Sequence, residues 1–330
     1  MPEPPQLKQL AQGDRVQDAL LVLDVEQRTY AADKECTVLI LGNSTGRISS
    51  APFWGAEQAC VAGISRGDVV QVIGEVGTYR GKRQLDVSSI RVLPKDGVDL
   101  RALLPSVGDI SRYWDPLDKW RGEVRAPRLR ATLALFYEDP DFRRRYEECP
   151  ASLSGHHAEL GGLLKHTCEV AAIGRAIAKV SRADGDLVLA GVLLHDLGKL
   201  ESYSWNGSFE MTECGSLLGH VVLGALMLER RIRDENPSPC TDRELTLLLH
   251  LILSHHGELE HGAPVAPMTL EAEVLHYADN ASAKTASMAD ALADPENFSG
   301  DALVSARPLW QLERRRAYRG RSDWGLVDSR

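Results

Sequence analysis

The residues best suited to chemistry in this chain are histidines and aspartates spread along its second half. His195-Asp196 closes an apolar stretch, Leu187–Leu194, and Gly198-Lys199 follows at once. Alone, such a pair caps a helix as readily as it binds anything. Four further residues shift the balance. His166 lies near the start of one helical stretch, His220 early in another, His255 at the end of a third and Asp279 in the middle of a fourth. Each sits within or beside an apolar run, so a helical core should draw it inward. Imidazole nitrogen and carboxylate oxygen suit manganese, iron, cobalt, nickel or zinc, and a carboxylate beside one ligand can bridge a second ion. Helix packing commonly builds such sites from side chains on separate helices. Two ions together acidify water and clamp the attacking and leaving oxygens of a phosphoryl displacement, with no serine or cysteine nucleophile required.

The neighbouring residues need weighing one by one. Lys199, one turn beyond Asp196, is placed to supply positive charge to a phosphate oxygen; its plainer reading is a solvent-facing cation at a helix end, which the macrodipole favours. His256 competes with His255, but adjacent residues on a helix point about 100° apart. We take His255 as the ligand and His256 as a neighbour of the substrate. His156 and His157 precede a Gly-Gly turn, and His157 is a candidate phosphate contact. His250 lies five residues before His255, about 140° around the helix, and reads as structural. His276, one turn before Asp279, also reads as structural, with an outer contact to the site as the alternative. His261 reads as loop surface.

The elements that must position these residues fall into two groups. Apolar residues at three- and four-residue spacing predict helices over Arg128–Tyr137, Leu163–Val180, Asp186–His195, Ser216–Arg233, Arg243–His256 and Leu270–Leu292. Gly198, Gly257 and Pro237 supply stop signals. Upstream, short apolar runs punctuated by Gly and Asp predict strands at Val16–Leu23, Cys36–Leu41, Arg47–Trp54, Val69–Val76 and Gln84–Val92, with a helix-like stretch Ala56–Gly63 after the third. Five strands with a helix after the third is the layout of an OB-fold barrel. The expected organisation is an all-β OB-fold unit over residues 1–95, a Pro-, Gly- and Asp-rich linker over 96–127 and an all-α domain over 128–330.

Composition narrows the class. Hydrophobic residues make up 43% and charged residues 26%, the balance of an ordinary globular protein. No apolar run approaches the ~20 residues of a membrane span, and the start, Met1-Pro2-Glu3-Pro4-Pro5, lacks the layout of a secretory signal. The six cysteines form no Cys-x-x-Cys pair and read as reduced thiols, so a cytoplasmic location is expected. The net charge of −9 lies wholly beyond residue 95, because residues 1–95 are balanced. That argues weakly against a protein that coats nucleic acid. Self-association is left open.

The residues carry two resemblances. The segment 41–48, Phe53-Trp54, Gly67-Asp68-Val69-Val70 and Tyr79-Arg80-Gly81-Lys82-Arg83-Gln84-Leu85 resemble OB-folds of the tRNA-anticodon-binding type. The order His, His-Asp, His, His, Asp resembles the HD phosphohydrolase superfamily. Gly155-His156-His157-Ala158, the run Gly161 to Thr167, Leu194 to Lys199, Gly219-His220, Ser254 to Gly257 and Ala278-Asp279-Asn280 resemble more closely the YhaM-type 3′-to-5′ exoribonucleases. That resemblance spans nearly the whole chain, and it implies one metal on His166, His195, Asp196 and Asp279. It implies a second on His220 and His255, with Asp196 bridging. Asn280-Ala281-Ser282-Ala283-Lys284 departs from the family, which usually has a larger apolar residue and a second aspartate there.

The function so implied is a two-metal exonuclease that releases nucleoside 5′-monophosphates from single-stranded RNA, with single-stranded DNA as a further substrate. Manganese is the first expectation for the ions, and iron, cobalt, nickel or zinc would also suit the donors. OB barrels hold single strands with stacking aromatics and a basic track. Phe53, Trp54, Tyr79, Arg80, Lys82 and Arg83 are the candidates, and the basic runs Arg143–Arg145 and Arg314–Arg316 read as solvated helix faces, with a place along the strand path as the alternative. Two rivals come from other classes. One is an HD phosphohydrolase of free nucleotides or cyclic dinucleotides, although the stretch after His256 lacks a Gly-Tyr-Pro signature. The other is a non-enzymatic single-strand binder, whose expected mark, a missing ligand, is not seen.

Overall fold

The computed structural model describes residues 4–7, 9–30, 34–79, 82–94, 100–322 and 324. The first unit is built on one long strand, β1 (Arg15–Tyr30). Its second half pairs with β2 (Lys34–Asn43) and its first half with β5 (Val69–Tyr79), so a single strand serves two neighbours. A register shift between Val22 and Asp24 marks the changeover, as bulges do where a sheet bends. β3 (Gly46–Ser49) and β4 (Phe53–Trp54) pair with β2, and β6 (Lys82–Leu93) with β5. The order is β3-β2-β1-β5-β6, and a parallel bridge from Ser50 to Leu85 closes the ends. This is the OB-fold barrel expected, with two differences. The third strand is broken between Ser49 and Phe53, and the helical stretch is a 3-10 turn over Gly55–Cys60. Leu20, Leu39, Leu41, Val70, Val72 and Leu85 fill the interior. Alternation along each strand puts them on one face.

The helical body comprises α1 (Ser111–Glu123), α2 (Pro127–Tyr137), α3 (Pro140–Glu148), α4 (Gly162–Ser181), α5 (Gly185–Leu194), α6 (Lys199–Ser202), α7 (Glu213–Arg233), α8 (Asp242–Ser254) and α9 (Leu270–Ala293). A two-stranded ribbon, β7 (Tyr203–Ser204) with β8 (Glu210–Met211), follows α6. The stretch 96–127 is more than a linker. Its α1 buries Trp114 and Leu117 in the same core as α4 and α5, while Asp115 is exposed and Pro116 and Asp118 are half-buried. Apolar from Val188 to Leu194, α5 is buried on all sides, as a central helix must be. Side-chain caps start several helices: Asp184 for α5, Thr212 for α7, Thr241 for α8 and Thr269 for α9. Barrel and body meet where Leu21 and Val69 pack against Leu104 and Phe209, and Arg66 Nη2 donates to Phe209 O at 2.7 Å. No helix among the described residues is long and apolar enough to cross a membrane.

Two positions in this frame make testable demands. A Cβ on Gly198 would lie 1.9 Å from His220 O and 2.4 Å from Gly224 N, so the α6 turn reaches α7 only because residue 198 has no side chain. Gly198→Ala should therefore lower the unfolding free energy measured by denaturant titration by about 1–3 kcal/mol. Gly185→Ala, with nothing within 4 Å, should raise it by about 0.4–1 kcal/mol. Equal effects would refute the close approach. Elsewhere, Glu244 closes a capping box with Thr241 and accepts from Arg128 at 2.6 Å. Arg128 first, and then the Thr241 backbone, pull its pKa from 4.5 to about 2. A carboxyl depressed on folding contributes stability above its unfolded pKa and loses it as pH falls through the folded one. The stability difference between wild type and Glu244→Gln should thus be full above pH 4.5 and vanish towards pH 2.

Candidate metal centre

Five stretches deliver the six side chains. His166 lies in the second turn of α4, and His195 and Asp196 follow the end of α5. Gly219, at φ 73° and ψ 155°, interrupts α7 so that His220 opens its second part. His255 and His256 follow α8, and Asp279 is in the middle of α9. Asp196 lies at the centre. Its Oδ2 is 3.2 Å from His195 Nε2 and 3.6 Å from His166 Nε2. Its Oδ1 is 3.5 Å from His220 Nε2 and 3.9 Å from His255 Nε2. Asp279 Oδ1 lies 3.0 Å from His166 Nε2. Two groups of potential ligands result, His166 with His195 and Asp196, and His220 with His255 and His256, the donor atoms within 4.8 Å of one another in each.

The outer hydrogen bonds set which imidazole nitrogen faces the centre. His195 Nδ1 and His255 Nδ1 donate to Val192 O at 2.7 Å and Ile252 O at 2.6 Å, carbonyls three residues back on their own helices. His256 Nδ1 donates to His261 O at 2.8 Å. Ser282 Oγ donates to Glu169 Oε2 at 2.9 Å, so its oxygen accepts from His166 Nδ1 at 3.1 Å. With the proton on Nδ1, a neutral ring turns an Nε2 lone pair inward, the tautomer that binds a metal. The buried His195 Nε2, His255 Nε2 and Asp196 Oδ1 have no hydrogen-bond partner. Buried lone pairs left facing one another are costly unless a cation lies among them. The donor set fits transition ions.

Electrostatics agree. Burial favours the neutral forms of His220 and His255, lowering the first to about 3 and the second well below its ordinary value. Burial alone would raise Asp196, but Lys199 and then His195 hold it well below the usual carboxylate range. His166, and then its charge neighbours, likewise hold Asp279 low against burial. Burial works against charge on His195, and Asp196 outweighs it, leaving that ring raised. Lys199 Nζ is 2.6 Å from Asp196 Oδ2, with its side chain 12% exposed. It is therefore an internal cation, not a solvated one at a helix end, and it stays protonated because Asp196 overrides its burial.

A cavity of about 130 Å³ opens on this cluster, and His156, Lys199, His256, Asp196 and Asp279 are among its lining residues. His157, the expected phosphate contact, is not among the residues that line the cavity, whereas its neighbour is. His157, at φ 53°, turns away from the cavity lining and sets Nε2 3.2 Å from Glu169 Oε2. His156 lines the cavity, its Nδ1 3.0 Å from Ser287 Oγ. Burial, then His157 and His166, lower His156 to about 4, so it is neutral near pH 7. Sequence reading missed Glu169 and Ser282. Glu169 stands three residues after His166, on the same helix face, which was the available signal. Ser282 lies in the departure 280–284, so that change adds a partner for His166. His250 Nε2 accepts from Met268 N at 2.9 Å, a structural role as expected, and His276 Nδ1 bonds His255 O at 2.9 Å, outside the ligand group.

The barrel candidates do not form one platform. Phe53 is buried, Trp54 is 38% exposed and Tyr79 57% exposed. Trp54 pairs with Cys36 of β2, whereas Tyr79 pairs with Lys82 at the β5–β6 tip. From Val69, at the contact with the helical body, to Tyr79 is ten residues, about 33 Å of strand. Lys82 is exposed at the tip, and Arg80 lies outside the described residues. Arg83 donates to Leu10 O at 2.9 Å, bracing the N-terminal segment that packs beside β6, a contact that the sequence pattern does not reveal.

Residues 163–284 match the family model described as HD domain. The chain is 31% identical over 283 residues to the 3'-5' exoribonuclease YhaM of Bacillus subtilis (strain 168), covering 85% of this chain and 88% of that one. It is 32% identical over 292 residues to the protein of that name from Shouchella clausii (strain KSM-K16), with 87% and 90% covered. A Listeria welshimeri relative of the same name is 29% identical over 81% of this chain and 84% of its own. The similarity thus extends over 85% and 87% of this chain, and the chain belongs to the YhaM family of HD-domain proteins.

Proposed function

We propose that the protein is a metal-dependent 3′-to-5′ exoribonuclease that removes nucleoside 5′-monophosphates from single-stranded RNA. The observation that carries the reading is Asp196, with one oxygen toward His166 and His195 and the other toward His220 and His255. One cation would be held by His166, His195, Asp196 and Asp279. A second would be held by His220 and His255, with His256 beside them at 3.3 Å from His220 and Asp196 shared. Manganese is the first candidate. Divalent cations there supply Lewis-acid stabilisation of an in-line phosphoryl displacement and acidify the attacking water.

The protein's own groups do the rest. Lys199 places a positive charge in the cavity wall, where it attracts a non-bridging phosphate oxygen. Ser287 Oγ and His156 Nδ1 share a hydrogen bond at 3.0 Å; with the hydroxyl as donor, His156 would present Nε2–H as a neutral donor at the mouth and take the role expected of His157. His157 instead anchors Glu169, which steadies His166 through Ser282. The cavity admits a phosphodiester but not stacked bases, so the bases are held at its rim. The relatives named 3'-5' exoribonuclease and the attached OB barrel favour a polymer over a free nucleotide.

With end-labelled single-stranded RNA and Mn²⁺, products should shorten from the 3′ end one 5′-monophosphate at a time. Single-stranded DNA and a deoxynucleoside triphosphate serve as competing substrates. Faster turnover of the triphosphate than of RNA would overturn the reading. Chelation should abolish activity and Mn²⁺ restore it. Asp196→Ala should reduce turnover to background while retaining the helical circular dichroism signal. Elemental analysis should give two transition ions per wild-type chain and fewer in His195→Ala. Added Mn²⁺ should raise the melting temperature of wild type alone, by mass action on the folded state.

A further inference from the structure

We infer that the segment after α9 forms the part of the RNA site next to the scissile bond, with Trp310 stacking on a base and Arg314 and Arg315 meeting the adjoining phosphates. The inference deepens the exonuclease reading and rests on it. The segment is fixed in place. Phe298, Leu309, Leu312 and Ala317 form a small core with Ala291 of α9, and Lys284 pairs with Glu313. Lys284 follows Ala283, which lines the metal cavity.

Trp310 is nevertheless 68% exposed. Its Cη2 is 3.3 Å from where a Cβ would stand on Gly155, and Gly155 precedes His156 of the cavity lining. The indole therefore stands at the rim. The chain turns directly after it: Arg314 N donates to Leu309 O and Leu309 N to Arg315 O, both at 2.9 Å. That turn places Arg314 and Arg315, both exposed, four and five residues after the indole, with Arg315 Nε donating to Leu312 O at 3.1 Å. Trp310 is not among the residues of the small core that holds this segment, unlike Trp114, Trp120 and Trp205, which belong to or pack against the main core.

An indole face with neighbouring guanidinium groups is the chemistry of single-strand recognition without sequence preference, since every base has a π-face and every linkage a phosphate. It also supplies what the barrel lacks. Tyr79 lies about 33 Å of strand from the contact between the units, so the barrel tip suits nucleotides further upstream. Trp310 serves those flanking the bond being cut.

The test compares two substrates, ordinary single-stranded RNA and the same RNA whose last two sugars lack bases. Trp310→Ala should raise KM on ordinary RNA by roughly five- to a hundredfold, with kcat little changed, and Trp310→Phe should recover most of that loss. On the base-free end, wild type and Trp310→Ala should have equal KM. Arg314→Asn, chosen because asparagine tolerates the left-handed backbone at this position (φ 62°), should reduce the slope of log affinity against log salt by about one. An unchanged KM on ordinary RNA, or equal losses on both substrates, would overturn the inference. Failure of wild type to shorten RNA at all would instead sink the exonuclease reading beneath it.

Discussion

A carboxylate in the interior of a helical protein must be compensated by positive charge, and Asp196, at 2% exposure, is the group on which the surrounding structure depends. Lys199 supplies one cation at 2.6 Å. Burial keeps three of the four imidazoles around it, His166, His220 and His255, below their ordinary pKa; the fourth, His195, works against burial and is raised by Asp196 itself, while its Nδ1–H donates to Val192 O. What remains is a carboxylate facing several lone pairs, an arrangement that is repulsive by itself and attractive around a metal. The same crowding explains why Lys199 is internal and why the turn between Asp196 and Lys199 must lie so near α7.

Helix ends provide the positioning. His195 and His255 are the residues that end α5 and α8, where carbonyls lose their helical partners. Each ring satisfies such a carbonyl of its own helix and thereby fixes its tautomer. One hydrogen bond thus serves helix termination and ligand orientation together. His166, inside a helix with no free carbonyl, reaches the same tautomer by a different route through Ser282 and Glu169. That route draws on α9, so α4 and α9 are joined by the site as well as by their apolar contact.

In the function proposed above the two units would divide recognition between them, the helical body taking the phosphodiester at its metal cavity and the barrel offering surface to a longer strand. Their contact through Leu21, Val69, Leu104 and Phe209 is apolar and small, with Arg66 bonded across it. The segment around Trp310 stands on the body, beside His156, and so belongs to the chemistry end of that path.

The barrel strands, six of the helices and the six central residues were legible in the sequence, whereas α1, α3, α6 and the β7–β8 ribbon were not. Strand alternation and turn residues gave away the barrel, and three- and four-residue spacing marked the major helices, because both periodicities follow from backbone geometry. His166, His195, Asp196, His220, His255 and Asp279 were legible because each adjoins an apolar run that a core must bury. Only the tertiary structure decided which rings turn inward. His156 and His157 are adjacent and chemically identical, and with a left-handed residue at 157 it is His156 that lines the cavity. Glu169, Ser282 and the tie between Arg83 and Leu10 depend on segments distant in sequence, as does Trp310 at the cavity rim. Periodicity reports which face of an element is buried; it carries no information on what that face meets.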